Sequence, residues 1–221
     1  MDKTYIRGVD EPLPENETLL WEGSPDARAL ARHAFKRRWV VAYFAVLAGL
    51  AAFTGAAGTG LARALWLVVL GGVVYGFVTL WAHLVARSSV YALTDKRLVM
   101  KIGVAFPSVF NLPLDLVGDA WIRAYGDGSG DVAFQLEGSD RIGMLFLWPH
   151  VRPWRFRDPQ PMLRGLGEVE TAGEIIRQAV RAARVGAEPK TERRGVVYSV
   201  MDDDGIEILS NRRPEREQQR A

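Results

Sequence analysis

The stretch that decides the architecture runs from Trp39 to Gly58, WVVAYFAVLAGLAAFTGAAG, and is answered by a second from Leu65 to Ala86, LWLVVLGGVVYGFVTLWAHLVA. The first holds 20 residues without a charge, and the second holds 22 with one histidine. A helix rises about 1.5 Å per residue and a bilayer's hydrocarbon core is about 30 Å thick, so either run is long enough to cross it. Lipid offers no partner for peptide groups, so both runs are expected to be helices. Only Thr59 to Ala64 lie between them, which predicts an antiparallel hairpin.

The flanks set an expected orientation. Arg28, Arg32, Lys36, Arg37 and Arg38 precede the first run, and Arg87, Lys96, Arg97 and Lys101 follow the second, against a lone Arg63 in the link. Lys and Arg collect on the cytoplasmic side, so the reading is a multi-pass protein of a bacterial inner or intracytoplasmic membrane with both termini cytoplasmic. Trp39, Tyr43, Trp66 and Trp81 stand near the ends of the runs, where aromatic rings suit the interface. The opening MDKTYIRGVDEPLPENE has no apolar core of a signal peptide, so the first run is expected to be an uncleaved anchor. Asp26 to Arg38 reads either as a short basic amphipathic helix, drawn to anionic lipid at about 1 kcal/mol per basic side chain, or as topology-setting charge alone.

On the second run Gly72, Gly76, Thr79 and His83 recur at steps of 4, 3 and 4 and share one helix face. A Gly-xxx-Gly pair lets another helix approach closely. Ala45 with Gly49, and Ala51 with Gly55, offer similar small surfaces on the first run. Either these faces pack the hairpin against itself, or they dock a partner's helix or a second copy. His83, about one turn inside, would hydrogen-bond a neighbouring helix or, in a less favoured reading, ligate the magnesium of a bacteriochlorophyll.

The mean hydropathy of −0.01 averages this apolar centre with charged flanks. Across 221 residues, 28 Lys and Arg stand against 26 Asp and Glu, and the net charge of +2 gives no argument for nucleic acid. With no cysteine, thiolate chemistry and Cys-based metal sites are excluded.

After Ser89 the pattern alternates. Val90–Leu93 and Arg97–Ile102 predict two strands around a turn at Thr94, Asp95 and Lys96. Asn111–Leu114, Val117–Tyr125, Val132–Leu136 and Arg141–Leu147 are further candidates. Gly126 to Asp131 predicts a hairpin turn; it lacks the phosphate-loop pattern, and no helix follows. Val169–Arg184 carries Ile175, Ile176, Ala179, Val180 and Ala183 at helical spacing. The fold class expected is an α+β membrane protein, a two-helix transmembrane hairpin plus an antiparallel β domain capped by a C-terminal helix. The divisions are 1–38, an N-terminal segment with a basic juxtamembrane helix; 39–86, the hairpin; 87–185, the β domain; and 186–221, a tail. Val196–Met201 and Ile206–Leu209 could form a small hairpin in that tail, docked on the same domain or on a partner's strand edge, before a charged end read as disordered.

His150 opens a run in which Arg152, Trp154, Arg155 and Arg157 interleave bases with an aromatic ring. These either contact a partner or lipid head groups, or belong to a connector that packs its rings on the sheet. His33, His83 and His150 lie in different segments, and no catalytic motif is present. The expectation is a non-enzyme without a metal.

The segments YALTDKRLVMKIG from Tyr91, NLPLDLV from Asn111 and GSGDVAFQL from Gly128 resemble the bacterial PH-like membrane domains, and LPENETLLWEGSPD from Leu13 resembles their lead-in. LPENETLLWEGSPDARALARHAFKRRWVVAYF and LWPHVRPWRFRDPQPMLRGL are, further, similar to the photosynthetic-complex assembly proteins (PuhB type) of purple bacteria, encoded beside the reaction-centre H subunit. The resemblance covers roughly residues 12–185. It implies a PH-like domain and a non-enzymatic role in assembling the reaction centre and core light-harvesting complex, with those subunits as partners. The alternatives are a lipid- or bacteriochlorophyll-binding module, or a general PH-domain envelope protein. The sequence leaves a homo-oligomer open.

Overall fold

The computed structural model describes residues 5–7, 9, 12–55, 58–136, 147–153, 159–186, 197–202 and 205–210, of which 186, 197–202 and 205–210 are described by backbone alone. The predicted strand over 141–147, the turn at 138–140 and the charged end at 211–221 lie wholly or almost wholly outside these residues.

The order is β1 (Leu19–Gly23), α1 (Ala27–Ala29) continuing as a π-helical turn over Leu30–Ala34, α2 (Arg37–Thr54), α3 (Gly60–Ser88), β2 (Val90–Thr94), β3 (Arg97–Ile102), β4 (Ser108–Pro113), a 3₁₀ turn (Leu114–Leu116), β5 (Val117–Ala124), β6 (Gly130–Leu136), β7 (Met162–Leu166), α4 (Val169–Gly186), β8 (Val197–Asp202) and β9 (Gly205–Ser210).

The helical hairpin forms where the uncharged runs predict it, with a different link. α3 begins at Gly60, so Arg63 stands in its first turn. Gly55 and Gly60 meet backbone to backbone, and a Cβ on Gly55 would collide with Gly60. That close approach removes most of the expected loop.

Two antiparallel sheets make the β domain, one in the order β1-β2-β3-β4-β8-β9 and the other β5-β6-β7. The β2–β3 turn closes on Thr94, whose Oγ1 accepts from the Lys96 and Arg97 amides. This satisfies backbone groups that the ladder cannot reach. β2 is buried along its whole length. Tyr91 and Leu93 face the main core, while Val90 and Ala92 face a second cluster completed by Ile6 and Leu13 of the N-terminal arm.

β1 and β7 were not anticipated. β1 pairs with β2, some 70 residues away in the chain, and β7 pairs with β6 beyond the proline-rich stretch. The third strand starts at Ser108, earlier than the predicted Asn111, and alternates buried and half-exposed side chains along its length. The tail hairpin is present: β8 pairs with β4, Phe110 opposite Tyr198, so it extends the domain's own sheet. The β domain therefore draws strands from the N-terminal segment, the middle and the tail. α4 lays Ile176, Ala179 and Val180 on the main core and packs the half-buried Ile175 and Ala183 against it, as its spacing predicts, and Val169 and Ala172 extend the buried face toward its start. Gly173 lets it sit close to β5, where a Cβ would meet the Ile122 side chain.

Candidate functional site

Two surfaces stand out, and both are built around the hairpin. The first is an outer face of α3. The side of α3 turned inward is marked by Ala64, Gly71, Ala82 and Val85: Ala64, Ala82 and Val85 are buried, and a Cβ on Gly71 would press against the Phe44 ring of α2. Gly72 and Gly76 face away, and a Cβ on either would meet nothing within 4 Å. Thr79 returns its hydroxyl to the Tyr75 carbonyl of its own helix at 2.8 Å, so it asks nothing of a neighbour. His83 is exposed beyond it. The small-residue face is thus turned outward in this chain. Of the faces proposed on α2, the Ala51–Gly55 pair packs inside the hairpin against Gly60, while Gly49 is open.

The second surface is where α1 meets α2. Asp26 caps α1 by accepting from the Ala29 amide at 2.8 Å. Its own amide donates to the Gly165 carbonyl of β7 at 2.7 Å. Leu30 and Ala31 are buried against Ala82 and Val85 of α3. The apolar side of this segment is therefore a strut between hairpin and β domain, while its bases stay outward.

A turn of the sheet grips the strut. Asp127, in the β5–β6 turn, accepts from Arg32 Nη1 at 2.6 Å and lies 3.1 Å from His33 Nε2. The His33 ring stacks flat on Tyr125, with centroids 3.8 Å apart and planes within 3°. The Ser129 hydroxyl, then the His33 bond, hold the Asp127 carboxyl well below the usual carboxylate range. Tyr125 donates to Asp131 at 2.6 Å, and burial followed by that carboxylate pushes its hydroxyl up. Asp131 also accepts from the Gly165 amide at 2.9 Å. The glycine-rich turn is a hairpin turn, as the sequence predicts, with a clamp added that the sequence did not disclose.

Beyond the strut the chain turns sharply at Lys36, which takes a left-handed conformation with φ 50°. The turn leaves a cleft of about 570 Å³ lined by Arg32, His33, Lys36, Arg38, Trp39 and Ala42.

At the junction of α3 and β2 lies a buried polar chain. The Arg164 amide donates to the Tyr91 hydroxyl at 3.3 Å, which lies 2.7 Å from His150 Nδ1, and His150 Nε2 lies 3.1 Å from Ser89 Oγ. Both ring nitrogens and the Tyr91 proton have partners if Tyr91 donates to Nδ1 and Nε2–H donates to Ser89. Burial, and secondarily the charge of Arg164, push His150 down to about 3, so the ring is neutral. Arg152 sits 4.7 Å from the Trp121 ring and donates to Gln160 at 3.0 Å. Trp154, Arg155 and Arg157 lie outside the described residues. Among the described residues, no group of three or more His, Cys, Asp or Glu is placed to hold a metal ion.

A hairpin running straight into a two-sheet antiparallel domain closed by one helix is consistent with a PH-like protein. Residues 42–180, more than half of the chain, match the bacterial PH domain family, and the chain belongs to that family. The match begins inside α2 and ends inside α4, so the hairpin is part of it. The chain is also 35% identical over 181 residues to an uncharacterized 23.7 kDa protein in the puhA 5′ region of Rhodobacter capsulatus, an alignment covering 79% of this chain and 85% of that one. No solved structure matches.

Proposed function

We propose that this protein is a non-enzymatic, membrane-anchored assembly factor for the photosynthetic reaction centre and core light-harvesting complex. α2 and α3 cross the membrane with both termini cytoplasmic, and the β domain contacts the cytoplasmic face of an assembling intermediate. The observation that carries this reading is the relative in the puhA 5′ region, a photosynthesis gene region. It agrees with the resemblance of Leu13–Phe44 and Leu147–Leu166 to photosynthetic assembly proteins.

The membrane component is supported by length and exposure. α2 and α3 are long and apolar enough to cross, and only 6% and 11% of their most apolar windows are buried, whereas a core helix of a water-soluble domain would be largely covered. α3, at 29 residues, is about 43 Å long. Its last turns therefore project beyond the hydrocarbon and receive the strut. Docking through Gly72 and Gly76 is supported by their open outward face, since small residues let a partner's helix approach and gain dispersion contacts in lipid.

The test is a mild-detergent pull-down of the tagged protein from its native membranes, read by mass spectrometry and by an absorption spectrum of the eluate. Reaction-centre or antenna subunits in sub-stoichiometric amounts are expected, and their loss from a Gly72→Leu/Gly76→Leu variant. An eluate holding only this chain and lipid sinks the reading in favour of a lipid-binding or general envelope protein. The exposed His83 ring favours one second reading, a bacteriochlorophyll carrier. A near-infrared band that travels with the free protein and is lost in His83→Leu would carry it.

A further inference from the structure

We propose that the cleft between α1 and the start of α2 seats the phosphate of an anionic membrane lipid. This inference rests on the reading that α2 and α3 cross a membrane, and not on any photosynthetic partner.

The cleft is a built feature of the fold. Asp26 and Leu30 fix the strut against β7 and α3, and left-handed Lys36 folds the chain back into α2, with the Trp39 amide donating to the Lys36 carbonyl at 2.8 Å. That turn brings Arg32 and His33 of the strut and Arg38 and Trp39 of α2 to one cleft. Four of the six lining side chains are basic, and none is acidic. Arg32 and His33 share Asp127, whereas among the described residues Lys36 and Arg38 have no acidic partner. Two cations that share one mouth without an acidic partner repel each other, and a phosphate bridging them gains charge-assisted hydrogen bonds from both.

Polarity along the cleft selects a lipid over a free anion. Its wall runs from bases at the strut to Trp39, 73% exposed in the first turn of α2, and then to Ala42. A leaflet has the same gradient, with phosphate at the surface, an interfacial layer favoured by tryptophan, and hydrocarbon below. A soluble phosphate would use only the basic end and leave the Trp39 face bare.

The experiment uses the full chain. Flotation with dioleoylphosphatidylcholine vesicles, followed by carbonate extraction, reports insertion alone. If the protein does not resist extraction, the membrane reading fails and the proposal with it. For inserting protein, native mass spectrometry in mild detergent compares phosphatidylglycerol with phosphatidylcholine. One phosphatidylglycerol per chain, preferred about tenfold, is expected. The Lys36→Asn/Arg38→Gln pair should abolish the preference, asparagine being tolerant of the left-handed turn. Arg38→Lys should keep it, and Arg177→Gln/Arg181→Gln on α4 should leave it unchanged. Preference that survives the Lys36/Arg38 pair, or that falls equally with the α4 pair, overturns the site. Displacement of phosphatidylglycerol by millimolar inorganic phosphate overturns the lipid as its occupant.

Discussion

The Nε2 atom of His33 lies 3.1 Å from Oδ2 of Asp127, although 94 residues separate them. Arg32 shares the same oxygen at 2.6 Å. A turn of the second sheet thereby holds the segment that leads into the helical hairpin. Asp127→Ala should release that segment without unfolding the chain, because Leu30 remains buried. Hydrogen exchange is expected to quicken several-fold over residues 27–34 and to stay unchanged in β2 and β3. The pH dependence follows from the direction of the Asp127 shift. Its folded carboxyl titrates below the ordinary 3.8, so the clamp is fully present above that pH and is lost as the pH falls below it. Wild-type exchange over 27–34 should therefore approach that of Asp127→Ala only in acid.

His150 loses its contribution in the same direction as the acid-labile clamp, on acidification, but over a window that opens at higher pH. Its ring is buried and neutral, held at about 3 against an ordinary 6.5. Below pH 6.5 the unfolded chain takes up a proton that the folded chain refuses. Stability is thus complete above 6.5 and falls by about 1.4 kcal/mol per pH unit between 6.5 and about 3. At pH 5 the loss is roughly 2 kcal/mol. His150→Gln keeps a hydrogen-bonding side chain without the titration, so its unfolding temperature in detergent should fall less than wild type's between pH 7 and pH 5. His150→Leu takes away the acceptor of the Tyr91 hydroxyl proton and the ring partner of Ser89, at a cost of about 2–4 kcal/mol. Parallel pH profiles for wild type and His150→Gln would show that the ring is charged when folded.

Gly165 joins the strut to β7 at a point where a side chain is doubly penalised. Its φ is 63°, and a Cβ would lie 3.1 Å from Cγ of Leu30. Gly165→Ala should cost about 1–2 kcal/mol from the backbone alone, with a further loss as Leu30 is displaced. Leu30→Ala removes the same contact from the other side and should cost about 2–4 kcal/mol. Because both act on one contact, the double variant should cost less than the sum of the two. Additive thermal shifts would separate the glycine from the strut.

These contacts explain which parts of the fold were legible in the sequence. Trp39–Gly58 and Leu65–Ala86 announce helices because a charge-free run of that length has few other homes. Val90–Ile102 announces a hairpin because Thr94 to Lys96 breaks a β-rich run, and Val169–Arg184 shows its buried stripe directly. β1 and β7 are five-residue strands without strong alternation, whose partners lie far away or beyond a proline-rich stretch, and they form because β2 and β6 have open edges to complete. Asp127 reads locally as a turn residue, and only the folded chain brings Arg32 and His33 to it. The basic run from Arg28 to Arg38 discloses its charge, but not that Leu30 and Ala31 turn it into a strut or that Lys36 bends it into a cleft.

The hairpin gives the sharpest separation between packing and docking, because two adjacent glycines do different things. Helical geometry turns each residue about 100° from the last, and that single step moves the small-residue face from the inside of the hairpin to the outside. Gly71 meets Phe44, where a Cβ would come within 2.8 Å of the Phe44 Cβ, while Gly72 meets open space. Gly71→Leu should therefore force α2 and α3 apart, at a cost of about 1–3 kcal/mol by overpacking, and lower the unfolding temperature in detergent. Gly72→Leu should leave that temperature unchanged, since its side chain displaces nothing in this chain. In the pull-down the ranking should reverse in kind. Gly72→Leu with Gly76→Leu loses partner subunits from a fully folded protein, whereas any loss from Gly71→Leu tracks its lost stability. If Gly72→Leu destabilises the isolated chain as much as Gly71→Leu does, the outward face serves the hairpin itself or a second copy. A concentration-dependent unfolding temperature would then identify the copy.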